Sequence, residues 1–325
     1  MPKQKKDHKK TLITGITGFA GSHLAELLLK EGYEVYGIVR WRSRSEHIEH
    51  LNGRIHLVEA DLLDLRSIQD VMMFIRPTYI FHLAGQSYVP ASWTSPSATL
   101  ETNVIGSCNL FEAVRTAQID PVIQIACSSE EYGLVLPHET PIKETNPLRP
   151  LSPYAVSKAA MDFMGYQYFK SYGLKIVRTR GFNHEGPRRG DVFVASNFAK
   201  QIALIEKKLQ SSRIMVGNLN AQRDFTDVRD MVRGYYLSVL KCTPGDVYNI
   251  SSDKAWVIKN VLDKLLEYSR VQKIKIVADQ SRIRPSDVPL LVGDSSKFRS
   301  KTGWKPRIKF EQTLLDTLNY WRARV

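Results

Sequence analysis

Tyr154 and Lys158 stand four residues apart in a stretch of helical periodicity, so their side chains share one face. A tyrosine hydroxyl ordinarily titrates near about 10, too high for a base at neutral pH. A neighbouring ammonium favours the phenolate and brings that value down. Ser128, at the end of a strand-like run, is placed to hydrogen-bond and orient the hydroxyl whose proton the phenolate takes. Such a trio deprotonates an alcohol, and the carbon bearing it must then give up a hydride to some acceptor. The spacing alone is common on helices, so its meaning depends on whether the chain also builds a dinucleotide site.

Thr14-Gly15-Ile16-Thr17-Gly18-Phe19-Ala20-Gly21 lies between the first strand-like and first helix-like segments. Glycines there let the backbone turn tightly and approach a pyrophosphate seated at the helix N-terminus. After the second strand, Val39-Arg40-Trp41-Arg42-Ser43-Arg44 offers no acid for ribose hydroxyls and three arginines for a 2′-phosphate. NADP is therefore favoured over NAD, against the plainer reading of a solvated basic loop. Asp61 and Leu62 follow the third strand, where adenine would lie. Leu83-Ala84-Gly85-Gln86-Ser87 follows the fourth, where small residues let a cofactor pass. A nicotinamide here gives Glu130 a use. If a ketone forms at C4 of a sugar, the C5 proton becomes acidic, a carboxylate removes it, and water leaves from C6. The alternative is a glutamate that only caps a helix or pairs with the basic rim.

The elements that must position these groups alternate. Strand-like segments fall at Leu12–Thr14, Glu34–Val39, Ile55–Glu59, Tyr79–Ala84, Val122–Cys127 and Lys175–Thr179. Helical patterns fall at Gly21–Glu31, Leu65–Ile75, Ala98–Ala117 and Ser152–Tyr172, the last with Pro153 in its first turn. That alternation predicts an α/β fold, a Rossmann-type doubly wound parallel sheet covered on both faces. Beyond Asn183 the elements shorten, with helices near Asn197–Lys208, Asp227–Leu240 and Val257–Tyr268 and strands at Arg213–Val216 and Lys273–Val277. The expected layout is a disordered basic tail over residues 1–10, an NADP-binding domain over 11–182, and a smaller α/β substrate domain over 183–325 that interleaves with it.

Composition narrows the classes. Hydrophobic residues form 43% of the 325, enough for a full core, and no apolar run has the length of about 18 residues that suggests a membrane span. Three cysteines without a CxxC pair argue against a disulfide framework or a zinc site and suit a reducing compartment, so a cytoplasmic enzyme without metal is expected. The net charge of +13 lacks the aromatic interleaving of a base-stacking stripe; a small anionic ligand accounts for it better than nucleic acid or a membrane.

Taken together, the phosphate loop, Ser128-Ser129-Glu130-Glu131-Tyr132-Gly133, Ser152-Pro153-Tyr154-Ala155-Val156-Ser157-Lys158, the Asn183–Gly190 run, Arg223-Asp224, Arg284-Pro285 and Gly303-Trp304-Lys305-Pro306 resemble the extended short-chain dehydrogenases. Within them the resemblance is to the GDP-mannose 4,6-dehydratases and GDP-4-keto-6-deoxymannose reductases, from Thr11 to about Trp304. It implies that Ser128, Glu130, Tyr154 and Lys158 are catalytic, and that Arg40, Arg42, Ser43, His184 and Arg189 hold NADP. It further implies that Asn183, Val192, Lys200, Gly217, Arg223 and Arg284 hold the GDP-sugar. Phe19-Ala20, the serine at 128, the doubled glutamate and the Arg223–Val228 run look more like the reductases; the arginine loop and Asn183–Gly190 look more like the dehydratases. The expected activity is 4,6-dehydration of GDP-mannose to GDP-4-keto-6-deoxymannose, with the 4-keto reductase that forms GDP-rhamnose next, then a C4 dehydrogenase or epimerase, and a non-catalytic NADP-binding regulator last. Relatives associate, so a homodimer or homotetramer is expected.

Overall fold

Strands with apolar residues at successive positions belong in a sheet buried on both faces, and the structure shows that sheet. A computed structural model describes residues 9–282 and 288–325. The expected tail lies outside the described residues as far as His8, and Lys10 already begins a strand. The strands are β1 (Lys10–Thr14), β2 (Glu34–Val39), β3 (His56–Glu59), β4 (Tyr79–His82), β5 (Val122–Ser128), β6 (Lys175–Gly181), β7 (Asn183–Glu185), β8 (Arg213–Val216), β9 (Gln222–Asp227), β10 (Val247–Ile250), β11 (Ala255–Val257), β12 (Lys275–Ala278) and β13 (Leu290–Leu291). The helices are α1 (Phe19–Lys30), α2 (Leu65–Ile75), α3 (Val89–Thr94), α4 (Pro96–Leu100), α5 (Gly106–Thr116), α6 (Pro153–Tyr172), α7 (Val194–Glu206), α8 (Val228–Lys241), α9 (Ile258–Glu267), α10 (Ser296–Thr302) and α11 (Phe310–Arg322).

The main sheet is parallel, ordered β3-β2-β1-β4-β5-β6-β10. Neighbouring residues serve opposite faces: Leu12, Ile80 and Ile176 pack under α2, α5 and α6, whereas Ile13, Phe81 and Val177 pack under α1 and α8. β10 is the strand that periodicity does not single out, since its four residues include a fully buried Asn249. With α8 packed on α1, it ties the chain beyond residue 183 into the first domain. The remaining elements form a smaller body in which α7, α9 and α11 share a core with β8, beside the short sheet β11-β9-β13 with β7.

Local chemistry sets the ends of the elements that carry the site. Ser152 caps α6 by accepting the Ala155 N–H at 3.1 Å, Pro153 occupies its first turn, and Gly173 closes it at φ +73°. The helical pattern expected over 98–117 is interrupted by a π-turn at Glu101–Ile105. The reason is Asn103, whose side chain accepts from the Gln86 N–H at 2.8 Å and donates to the Gln86 carbonyl at 3.0 Å and Ser157 Oγ at 2.8 Å. A side chain committed to a loop and a second helix distorts its own turn, which no hydrophobic periodicity reports.

Candidate active site

A cavity of about 1340 Å³ runs past Thr14, Ser128 and Gly181, the last residues of β1, β5 and β6, and into the smaller body. Pockets for one small ligand measure about 300–1,000 Å³, so this one has room for two.

At one end lies the glycine turn. Gly15 has φ +75°, and a Cβ there would stand 2.9 Å from Ala84 Cα; one on Gly21 would stand 2.1 Å from the Gly15 carbonyl oxygen. Only hydrogen fits at either position, and this draws the β1–α1 turn against the loop after β4. Thr17, Gly18, Phe19 and Ala20 line the cavity with these glycines; Ile16 does not, being wholly buried against Gly37. Arg189 lies over the rings of Phe193, at 3.3 Å, and Phe19, at 5.1 Å, and its buried Nε has no partner among the described residues. A buried guanidinium with an open donor, beside a Cβ-free cradle at a helix N-terminus, suits the diphosphate of a dinucleotide. His184 stacks on Phe19 at 5.8 Å, and burial, helped by Arg189, draws its imidazole down to about 4, so it is neutral at pH 7.

Arg40, Ser43, Asp61, Leu62, Leu83, Ala84, Gly85 and Ser87 also lie on the wall. Ser43 Oγ accepts the Arg40 N–H at 3.0 Å and turns that loop inward. Arg42 is turned aside onto the Trp41 ring at 4.1 Å, with φ +59°, and is not on the wall. The loop after β4 is held from behind: Ala84 N–H donates to Thr14 Oγ1 at 3.1 Å, and Thr14 Oγ1 meets His82 Nδ1 at 2.8 Å. Burial, with Lys158 nearby, lowers the His82 imidazole to about 3, so it stays neutral and bonds Ser107 at 2.9 Å.

At the centre, Ser128 Oγ accepts the Glu130 N–H at 3.2 Å, and the Ser128 side chain lowers the Tyr154 hydroxyl. Glu130 lines the same wall. Burial pushes the Tyr154 hydroxyl well above its ordinary value; Ser128 and Arg189 pull it down, and Glu130 and Glu131 add to the rise. Burial lowers the Lys158 ammonium, opposed by Cys127 and Glu131. Its Nζ donates to the Ala126 carbonyl at 2.8 Å, and a Cβ on Gly85 would stand 3.6 Å from it. The four-residue spacing predicts an ammonium acting straight on the phenol. The Lys158 ammonium is held by the β5 backbone, and Arg189 is a cation that draws the Tyr154 hydroxyl down.

At the far end, Asn183, Val192, Gly217 and Arg223 face the cavity, and Asn183 Nδ2 is buried without a partner among the described residues. Arg223 Nη1 donates to the Val288 carbonyl at 2.6 Å. Lys200 is not on the wall; it is paired with Asp191, which is, at 2.6 Å. Arg284 lies outside the described residues. Sequence reasoning passed over Asn103, His82, Tyr235 and Glu185. Tyr235 and Glu185 face the cavity, and burial raises the Glu185 carboxyl to about 7 despite Arg189. Only Asn103 left a signal, a polar residue on the apolar face of a helical pattern.

Residues 12–317 match the family model described as GDP-mannose 4,6 dehydratase. GDP-mannose 4,6 dehydratase 1 of Arabidopsis thaliana is 35% identical over 322 residues, 94% of this chain and 88% of that one. The GDP-6-deoxy-D-mannose reductase of Pseudomonas aeruginosa is 31% identical over 317 residues, 98% of each chain. Among solved structures, RMD from Pseudomonas aeruginosa complexed with NADPH superposes with a TM-score of 0.85 at 31% identity, covering 98% of this chain and all of that one. A match across nearly the whole chain, over a glycine cradle and a Ser-Tyr-Lys centre in one cavity, makes this protein an enzyme of the GDP-mannose 4,6 dehydratase family, which takes in nucleotide-sugar dehydratases and a reductase.

Proposed function

We propose that the chain is an NADP-dependent 4,6-dehydratase of a GDP-hexose, with GDP-mannose as substrate and GDP-4-keto-6-deoxymannose as product. The observation that carries this reading is Glu130, a carboxylate on the same wall as Ser128 and Tyr154. Bound NADP would supply the two-electron acceptor for hydride moving from sugar C4 to C6. Gly15, Gly18, Gly21 and Arg189 would hold its diphosphate, and Arg40 with Ser43 its 2′-phosphate. Ser128 orients the C4 hydroxyl, and Tyr154 removes its proton. Glu130 then takes the C5 proton made acidic by the ketone and delivers it to the departing C6 hydroxyl, so that one water leaves, and the proton that Tyr154 took from the C4 hydroxyl returns to C5. Asn183 and Arg223 hold the diphosphate of GDP.

A second reading, the 4-keto reductase, is supported by length, because the alignment to the Pseudomonas reductase spans 98% of both chains while that to the plant dehydratase spans 88% of it. That reaction needs Ser128, Tyr154 and Lys158 but not Glu130. Incubation of NADP-loaded protein with GDP-mannose, followed by mass spectrometry, is the test. Loss of one water without added NADPH, abolished in Glu130→Gln, is the expected result. No product from GDP-mannose, with NADPH consumed on the 4-keto sugar, decides for the reductase.

A further inference from the structure

Two glutamates stand side by side after β5. Glu130 faces the cavity, whereas Glu131 has no exposed surface. Glu131 Oε1 accepts the Ser128 backbone N–H at 2.7 Å, and Oε2 lies 3.3 Å from Arg180 Nε. The same Nε lies 2.9 Å from Asp162 Oδ2, and Arg178 Nη1 donates to Asp162 Oδ1 at 2.5 Å. Arg180 Nη1 donates to the Tyr132 hydroxyl at 3.1 Å, which donates to Asn249 Oδ1 at 2.7 Å. The chain of partners joins the turn after β5 to β6, α6 and β10. Asp162 is one helical turn beyond Lys158, so β5 and α6 are the elements that also carry Ser128, Tyr154 and Lys158.

A buried carboxyl costs more desolvation than an apolar side chain of like size, so filled space alone does not call for this arrangement. Nor does a metal: Cys127, Glu131 and Asp162 cluster as ligands would, but the Arg180 guanidinium already bridges the two carboxylates. Among the members of this cluster, Glu131 is the one whose carboxylate takes the Ser128 amide, through Oε1. We propose that Glu131 is a positioning residue for the reacting centre. Its carboxyl, buried beside the Arg180 guanidinium that Asp162 anchors, holds the Ser128 amide and so sets where Ser128 Oγ stands relative to Tyr154 and where Glu130 enters the cavity. This rests on the reading of Ser128 and Tyr154 as reacting groups.

The network also acts on that centre through space, because Glu131 raises both Tyr154 and Lys158. Burial pushes the Glu131 carboxyl up to about 8, with Asp162 adding and Arg180, the Ser128 amide and Lys158 opposing. The charged and titratable groups around it are Arg180 from β6, with Arg178 behind Asp162, then Asp162 and Lys158 from α6, Cys127 from β5, and Tyr132 next in the turn.

Two variants of the full chain, loaded with NADP, test this. Glu131→Gln keeps an acceptor for the Ser128 amide but cannot ionise; Glu131→Leu has neither acceptor nor titrating group. Turnover is followed over pH as dehydration of GDP-mannose or as NADPH-driven reduction of its 4-keto product. Because the Glu131 carboxyl is held up at about 8, Glu131→Gln matches its neutral form along the acid limb, and the two kcat profiles are expected to part only above about pH 8, where the wild type gains a negative charge beside the phenol and the variant does not. Glu131→Leu is expected to lower kcat by about 10²-fold with KM within about twofold, as a small misplacement of a reacting group does. Hydrogen exchange of the 127–133 segment should rise in Glu131→Leu and not in Glu131→Gln. Variants with wild-type exchange and an unmoved pH profile overturn the proposal. If the wild type turns over neither sugar while Glu131→Leu still loosens 127–133, the proposed function fails and the positioning role stands. Should Glu131→Leu not fold, the pH profile of Glu131→Gln decides.

Discussion

The two ends of the cavity are built on different principles. The glycine end is made by backbone: Gly15 and Gly21 matter because they lack a Cβ, and the turn between β1 and α1 lines the wall from Gly15 to Gly21 apart from Ile16. The far end is made by side chains from β7, the segment before α7, the loop after β8, and β9, which are distant in sequence and meet only when the smaller body folds. A backbone cradle breaks when atoms are added, whereas a side-chain site weakens when they are removed.

Variants that probe the ends and the centre between them sharpen that contrast. Tyr154→Phe, at the centre, is expected to cost turnover about 10²–10⁴-fold while NADPH and GDP-sugar still bind, read by steady-state kinetics beside fluorescence titration. A Tyr154→Phe enzyme with intact turnover removes the mechanism altogether. Gly21→Ala forces a Cβ to 2.1 Å from the Gly15 carbonyl. It should lower stability by about 1–3 kcal/mol and NADPH affinity at least about tenfold, in melts and titrations of the same sample. At the far end, Asn183→Ala adds nothing and removes one donor, so KM for the GDP-sugar should rise about tenfold with NADPH affinity unmoved. Equal effects on both ligands would erase the division between the ends.

Smaller effects follow. His184 is held at about 4 in the folded protein against an ordinary 6.5. An unfolded chain takes up that proton below pH 6.5 while the folded one does not, so this share of stability is lost as pH falls from 6.5 toward 4. Melting temperature measured across that window should decline less steeply in His184→Gln. Lys200→Ala should change stability by no more than about 0.5 kcal/mol and kcat/KM by no more than about twofold, since Lys200 is off the wall and paired with Asp191.

Much of the fold could be read from the residues, because strand and helix periods are local. The strands from β1 to β6 and the limits of α6 emerge from apolar spacing, Pro153 and Gly173. The glycine cradle is as legible, since Gly15 and Gly21 are constrained by contacts within a few residues and with one neighbouring loop. What escaped is what depends on partners far away. Arg42 turns onto Trp41 rather than into the cavity, Lys158 finds the Ala126 carbonyl, and Asn103 bends its own helix to hold Gln86 and Ser157.

The neighbouring glutamates show the division most clearly. From sequence alone, Glu130 and Glu131 are two carboxylates after a strand, and the chain's own pattern determines that they sit at a strand end beside Ser128. Only tertiary structure decides that one faces the cavity and the other is sealed against Arg180, Asp162 and the Ser128 amide. The period of a strand or helix is set by covalent geometry and needs no distant partner. A buried charge is set by the groups that surround it, and those are brought together from β6 and α6 only when the sheet closes.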